Sequence, residues 1–441
     1  MATHSLLGSE PATGGPAVRT PPTPRPPARP SRTSRAARPA RSLPQERWAR
    51  VWRGRRVGPL SLISLLAWQL TIAGVVVTAV VAPGELVVAL LAFVLVIVLT
   101  VVRSGGRSLD RGLNVRRRLA ARRRAARGSA CTQGFPLAQH DALVPFLYLR
   151  PDLSVDLASA RSGDPVGVIG DGSGFTAVLA PANEPVVPSM RPTSVGIGTL
   201  ADLCDPDGVG VDSVQLVVRV LPAPAAASAA AVPGLARSYR QVNTSSTAAA
   251  VSWLVAVRLA ASVDVAGHLD DRRPVHAQVR SKADRATKLL AAAGLPCRML
   301  DDSEVLATLA GSVDADRGRP RADLRRVTES STTVDIDGWA HACAWVRTAG
   351  AGAPVGAGVL VSALSDADVS AATVSVVVEI VEARRLRVST FVRLTAPSAA
   401  GAAAAMQTLM SRAPAIGLGV VPLAGEQLPG LLATVPLGGG R

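Results

Sequence analysis

The chain has 441 residues, 48% of them apolar and 3% aromatic, with 48 Lys and Arg against 32 Asp and Glu, a net charge of +16. That apolar content excludes a wholly disordered chain, and four cysteines are too few for a disulfide scaffold. So basic a chain suggests nucleic acid first, but the charge is concentrated: residues 1–130 hold 22 arginines and no lysine against Glu10, Glu46, Glu85 and Asp110, a net of +18, which leaves residues 131–441 at −2.

Residues 1–47 are rich in Pro, Arg, Ala, Ser and Thr, most densely from Pro11 to Pro44. With almost nothing to bury, they cannot offset their ordering entropy and read as a disordered cytoplasmic tail of polyproline character. A PxxP-type docking role is the alternative to an inert tail.

Residues 48–103 read as a transmembrane hairpin. Leu60 to Val81 gives 22 uncharged residues and Leu86 to Val102 gives 17, where a bilayer core needs roughly 17–25 in a helix. Pro83 and Gly84 form the turn between them, and Glu85 suits the positive dipole end of the second helix. Two core helices of a soluble protein, or a cleaved signal peptide, fit such paired runs less well. Arginines flank both outer ends, with only Glu85 at the tip, so both ends of the hairpin face the cytoplasm by the positive-inside rule.

Residues 104–130 contain the run "RGLNVRRRLAARRRAARG" (Arg111–Gly128), with clusters Arg116, Arg117, Arg118 and Arg122, Arg123, Arg124. No aromatic residue interleaves with it as a stacking surface for bases requires. Beside a bilayer each such residue is worth about 1 kcal/mol against an anionic leaflet. The clusters therefore read as a membrane-surface patch for anionic lipid headgroups, with no nucleic acid partner.

Residues 131–441 read as a cytosolic domain of mixed α/β or α+β type. "PVGVIGDGSGFTAVLAP" (Pro165–Pro181) predicts two strands around a Gly/Asp turn, and Ser213–Leu221 and Val251–Ala260 predict further strands. A helix follows over Pro274–Gly294, then a strand and a second helix opened by a capping box of Asp301 and Glu304. The grammar then repeats: a hairpin over Thr373–Ala396 turning near Glu382-Ala383-Arg384, a helix over Ala396–Ala413, and a strand and helix over Ile416–Val435. "VRLAA" at Val257–Ala261 matches "VRLTA" at Val392–Ala396, which suggests an internal duplication of a β-β-α-β-α unit.

Chemistry is sparse. Cys131, Cys204, Cys297 and Cys343 form no Cys-x-x-Cys pair and read as buried free thiols, and His268 and His276 match no metal motif. Gly170–Gly174 lacks phosphate-loop spacing and reads as a hairpin turn. Asp205 and Asp207 form an Asp-x-Asp pair of the kind that holds a metal on a pyrophosphate, but "DAD" recurs at Asp314–Asp316 and Asp366–Asp368, so the pair reads as a solvated loop. No catalytic, metal or cofactor constellation assembles from these residues.

The basic tail, the hairpin from "RVGPLSLISLLAWQLTIAGVVV" to "VLTVVR", the arginine run, "VGVIGDGSGFTAVL", "VSWLVAVRL" and "GLPCRML" together resemble EccE, a membrane component of the type VII (ESX) secretion system, over roughly residues 48–435. The resemblance implies a non-catalytic subunit of an inner-membrane export complex, multi-pass, with both termini cytoplasmic. Its partners would be the EccB, EccC and EccD subunits, EccC being the ATPase. It also implies a domain similar in fold to nucleotide-sugar glycosyltransferases without a working site. A membrane-anchored glycosyltransferase facing the cytoplasm is the alternative. If the hairpin spans, Glu85→Cys is labelled in intact cells by an impermeant thiol reagent while Cys131, Cys204, Cys297 and Cys343 are not. Labelling of those four from outside would invert the topology.

Overall fold

A computed structural model describes residues 56–57, 60–81, 83–101, 103–104, 107–108 and 115–124 of the N-terminal third. From 143 to 439 it describes all but 148, 149, 151, 366 and the stretches 159–163, 183–194, 206–208, 223–247, 262–272, 314–326, 349–356 and 382–384. The Pro/Arg-rich tail, Cys131, Asp207, His268 and the turn near 382–384 therefore lie outside the described residues.

The apolar runs form helices α1 (Leu62–Val81) and α2 (Leu86–Val101), joined by a 3-10 turn at Pro83–Glu85 and packed on one another. Pro83 ends the first helix as the sequence predicts. Inside α1, the Thr78 hydroxyl donates to the Gly74 carbonyl at 2.9 Å, so the helix satisfies its own polar side chain. Leu70, Val80, Val81, Val87 and Val88 are all more than half exposed. Among the described residues no helix is long and apolar enough to cross a membrane; side chains of this pair are described over 69–81 and 87–95.

A further helix, α3, occupies 115–124. The domain then runs β1 (Ser154–Ala158), β2 (Val166–Gly170), β3 (Gly174–Pro181), α4 (Ile197–Cys204), β4 (Ser213–Pro222), β5 (Ala248–Ala260), α5 (Arg273–Ala292), β6 (Cys297–Met299) and α6 (Asp302–Ser312). It continues with β7 (Val327–Glu329), β8 (Val334–Ile336), β9 (Trp339–Thr348), α7 (Ala357–Leu364), β10 (Ala371–Val381), β11 (Arg385–Ala396), α8 (Ala399–Arg412), β12 (Leu418–Pro422) and α9 (Gln427–Leu432).

The second series repeats the first element for element, as β-β-β-α-β-β-α-β-α. The predicted duplication is thus present, in a longer unit than the sequence suggested. These twelve strands join one sheet in the order β7-β8-β9-β11-β10-β4-β5-β3-β2-β1, with β6 added beside β3 and β12 beside β9. That order is the same read from either end: each repeat contributes its strands in mirrored sequence, and β4 meets β10 at the seam. Their register runs from Val220 opposite Ala372 to Ser213 opposite Glu379, with Leu216 and Val376 paired near the middle. Every pairing is antiparallel, so of the two expected classes the domain is α+β.

Both faces of the sheet are covered, which explains why its central strands read as continuous apolar runs rather than alternating ones. On one face Val214, Leu216, Val255, Val257, Val374, Val376 and Val392 pack beneath α4, α5, α7 and α8. On the other, Ile169, Val178, Leu254, Cys343 and Phe391 pack beneath α6, α9 and a helical turn at Val144–Leu147. Asp301 opens α6 with the predicted capping box: its side chain accepts the Glu304 N–H, and Glu304 accepts the Asp301 N–H.

At the β2–β3 turn, Asp171 is 2% exposed. Its carboxylate accepts two bonds from Arg258, at 2.9 and 3.0 Å, and one from the Ser173 N–H at 2.9 Å, with Arg150 3.2 Å away. Burial alone would raise the pKa of this carboxyl, but the charge and hydrogen bonds of Arg258, then Arg150 and Ser173, hold it below the ordinary value. A depressed folded pKa contributes stability that is complete above the unfolded carboxyl value of about 4 and is lost as the pH falls through the folded value. Asp171→Asn keeps the shape but leaves Arg258 without its counter-charge, and should cost about 3–5 kcal/mol in urea unfolding at neutral pH. The variant should also lose part of the wild-type fall in stability at acid pH; an unchanged acid profile would show that this carboxylate does not carry it.

Candidate functional site

The arginine run becomes a helix because Arg, Leu and Ala are all strong helix formers. It is docked on the second repeat. Val115, Leu119 and Arg122 recur at i, i+4 and i+7 along one stripe of α3, and Leu119 and Arg122 are buried, at 7% and 9% exposure.

Arg122 is the centre of the contact. Its Nε and Nη2 donate to the two carboxylate oxygens of Glu329, each at 2.8 Å, and Nη2 also donates to the Gly425 carbonyl at 2.5 Å. Such a two-bond fork between Arg and carboxylate fixes orientation as well as position. Glu329, on β7, is itself buried and has a second duty: its Oε1 accepts the Leu428 N–H at 3.1 Å in the first turn of α9. The N-cap residue of α9, Glu426, makes no side-chain cap bond, so Glu329 supplies from a distant strand the negative charge that this helix end favours. Arg123 adds a bond from Nε to the Glu329 carbonyl at 2.7 Å.

Gly425 lets the helix come this close. It has φ +71, and a Cβ there would overlap Val115. Both the left-handed backbone and the missing side chain are required.

The six arginines predicted to form one membrane-surface patch therefore divide. Arg122 is turned into the domain, because a guanidinium beside a buried carboxylate gains more from pairing than from water, and it is removed from the patch. Arg116, Arg117, Arg123 and Arg124 stay exposed and Arg118 is half-buried. Arg116, Arg123 and Arg124, with Leu119 and Ala120, line a groove of about 380 Å³. At the hairpin tip Gly84 and Glu85 are exposed, at the junction of α1 and α2 where the sequence places the turn.

Other residues singled out in the sequence do not converge. Asp205 is the exposed C-cap of α4, its N–H donating to the Asp202 carbonyl at 3.3 Å. His276 lies 3.9 Å from Asp156 and meets the Phe175 ring edge-on. Among the described residues no group of three or more His, Cys, Asp and Glu is placed to hold a metal ion. Cys204, Cys297 and Cys343 are free and buried, and burial pushes their thiols up to about 12, 11 and 12, which leaves almost no nucleophilic thiolate at neutral pH. His341, which the sequence did not single out, is fully buried on β9 with Nδ1 3.0 Å from the Thr395 hydroxyl. Burial first, then the charges of Arg393 and Arg219, lower its pKa well below the usual value, so it is neutral. No protein-family model and no curated protein matches the chain.

The Glu329 contact joins α3, β7 and α9, three segments far apart in sequence. Glu329→Gln should cost about 3 kcal/mol or more, since it leaves the Arg122 charge buried and unmatched. Hydrogen exchange across 115–124 should speed up while the β4–β10 seam stays protected. Unchanged exchange over α3 would mean that the apolar stripe, not the ion pair, holds the helix.

Proposed function

We propose that the chain is a non-catalytic, membrane-anchored subunit of an inner-membrane protein-export complex of the type VII (ESX) kind, similar to EccE. In this reading α1 and α2 form the transmembrane hairpin, both termini are cytoplasmic, and the duplicated domain presents packing surfaces to subunits equivalent to EccB, the ATPase EccC and EccD. The observation that carries it is the Arg122–Glu329 contact. It fastens the segment that follows the hairpin onto the folded domain, which is what a subunit needs if its domain is to be held at a fixed place beside a membrane complex.

Two further features support the reading. From Leu60 to Val81 the sequence runs 22 residues without a charge, a number within the range that a bilayer core of about 30 Å calls for. The exposed Val and Leu side chains on both hairpin helices make an apolar surface of the kind that soluble monomers avoid.

Nothing in the geometry favours the glycosyltransferase alternative. Open α/β sheets bind nucleotides outside the carboxyl ends of parallel strands where the strand order reverses, whereas this sheet is antiparallel at every described pairing, which also departs from the glycosyltransferase-like fold that the resemblance to EccE implies. Asp205 closes a helix by its backbone.

The double substitution Asp205→Asn with Asp207→Asn should leave export near normal, since exposed loop changes usually alter stability by under about 0.5 kcal/mol. Ending the chain after Arg127 should abolish export or reduce it strongly. If the double variant is folded and incorporated yet exports nothing, and the wild-type chain binds a nucleotide sugar in a metal-dependent way, the transferase reading replaces this one.

A further inference from the structure

The docking of α3 leaves three arginines gathered on its exposed side, with no carboxylate paired to them among the described residues. Arg116, Ala120, Arg123 and Arg124 stand at i, i+4, i+7 and i+8, so they share one face of the helix. The three arginines line the groove together with Leu119 and Ala120. Arg123 is tethered through Nε to the Glu329 carbonyl at 2.7 Å and Arg124 through Nε to the Ala120 carbonyl at 3.3 Å. In both, the bond uses the inner nitrogen and leaves the terminal nitrogens of the fork for a ligand. Among the described residues none of the three is paired with a carboxylate; Glu329, the carboxylate that α3 reaches, is taken by Arg122.

Like charges held at helical spacing repel, and tethered side chains have less freedom to lose on binding. The planar, multi-donor guanidinium suits a tetrahedral oxyanion better than a point charge does.

We propose that Arg116, Arg123 and Arg124 form a discrete binding site for the phosphodiester headgroup of an acidic phospholipid, distinct from a diffuse attraction of the whole arginine run to the membrane. The site rests on the reading of α1 and α2 as a bilayer hairpin. Thirteen residues lie between Val101, the end of α2, and residue 115, which keeps the start of α3 within about 50 Å of the end of that helix. Arg122 is a positioning residue for the site: by pinning α3 it fixes which side of the helix is presented.

The full chain is reconstituted in nanodiscs of phosphatidylcholine, alone or mixed with increasing phosphatidylglycerol, with an environment-sensitive fluorophore on Ala121→Cys, an exposed neighbour of the groove. Phosphatidylglycerol should shift the emission. In the variant Arg116→Gln, Arg123→Gln, Arg124→Gln the apparent affinity for phosphatidylglycerol should fall by roughly 100-fold, at about fivefold per arginine, with an unchanged melting temperature. An equal fall in a charge-matched variant, Arg111→Gln, Arg117→Gln, Arg127→Gln, overturns the proposal in favour of diffuse attraction, and an unchanged response in the first triple variant overturns it outright. A response to inorganic phosphate in phosphatidylcholine discs that equals the lipid response assigns the groove to a free anion and overturns the lipid. A response to an acidic peptide but not to phosphatidylglycerol assigns it to protein and also overturns it. If the chain fails to enter the discs, the anchoring reading falls with the site; if it enters them and ignores phosphatidylglycerol, only the site falls.

Discussion

Buried guanidiniums bind the two repeats to one another. Arg258 on β5 and Arg393 on β11 hold the same place in their repeats, one opposite Ser213 and Thr176, the other opposite Thr373 and Cys343. Both are buried, at 5% and 1% exposure. A cation in such a place must be met by acceptors, or the cost of removing it from water exceeds what the fold can supply. Each reaches across to the other repeat for part of what it needs. Arg393 donates to the Ser312 carbonyl at the end of α6, at 2.5 Å, and Arg258 donates to the Leu437 carbonyl beyond α9, at 3.4 Å. Ser312 ends α6, where helix carbonyls have no partner of their own and carry a partial negative charge, so its carbonyl meets part of what the Arg393 cation needs.

The polar groups around these arginines follow the same rule. Gln215, fully buried at the seam, donates to the Ser375 hydroxyl at 2.9 Å and the Ala433 carbonyl at 3.0 Å, and its oxygen accepts the Gly439 N–H at 3.1 Å. Ser213 and Thr176 donate to the carbonyls of Gly438 and Leu437. The segment after α9 is thus held down by side chains of the first repeat. A Cβ at Gly438 would stand 2.6 Å from that of Arg258, so the approach depends on glycine there. These contacts account for a polar row inside an apolar domain.

Arginine serves three purposes in one chain, and environment alone separates them. Arg258 and Arg393 join repeats, Arg122 fastens α3 to Glu329, and Arg116, Arg123 and Arg124 face outward. Nothing in the string "RRRLAARRR" distinguishes Arg122 from Arg123. The spacing of Arg122 from Leu119 does not single it out, since Arg116 and Arg123 stand three before and four after the same leucine. Its partner Glu329 lies 207 residues away, beyond the reach of any local pattern.

Local signals accordingly account for what the sequence by itself determined: the apolar runs and the Pro-Gly break, the hairpin at Pro165–Pro181, the capping box at Asp301 and Glu304, the strands β4, β5, β10 and β11 and the helices α5 and α8, but not the ten-residue β9. These depend on neighbours within a few residues, where propensity, periodicity and turn chemistry act directly. β1, β7 and β8 are too short to show alternation, and α4 and α7, of eight residues each, too short for a helical period. They exist because the sheet and its covering layers complete them. The antiparallel order, the seam of β4 on β10 and the inward turn of Arg122 were decided only by tertiary structure, because each depends on burying a strand edge or a charge against residues more than a hundred positions away.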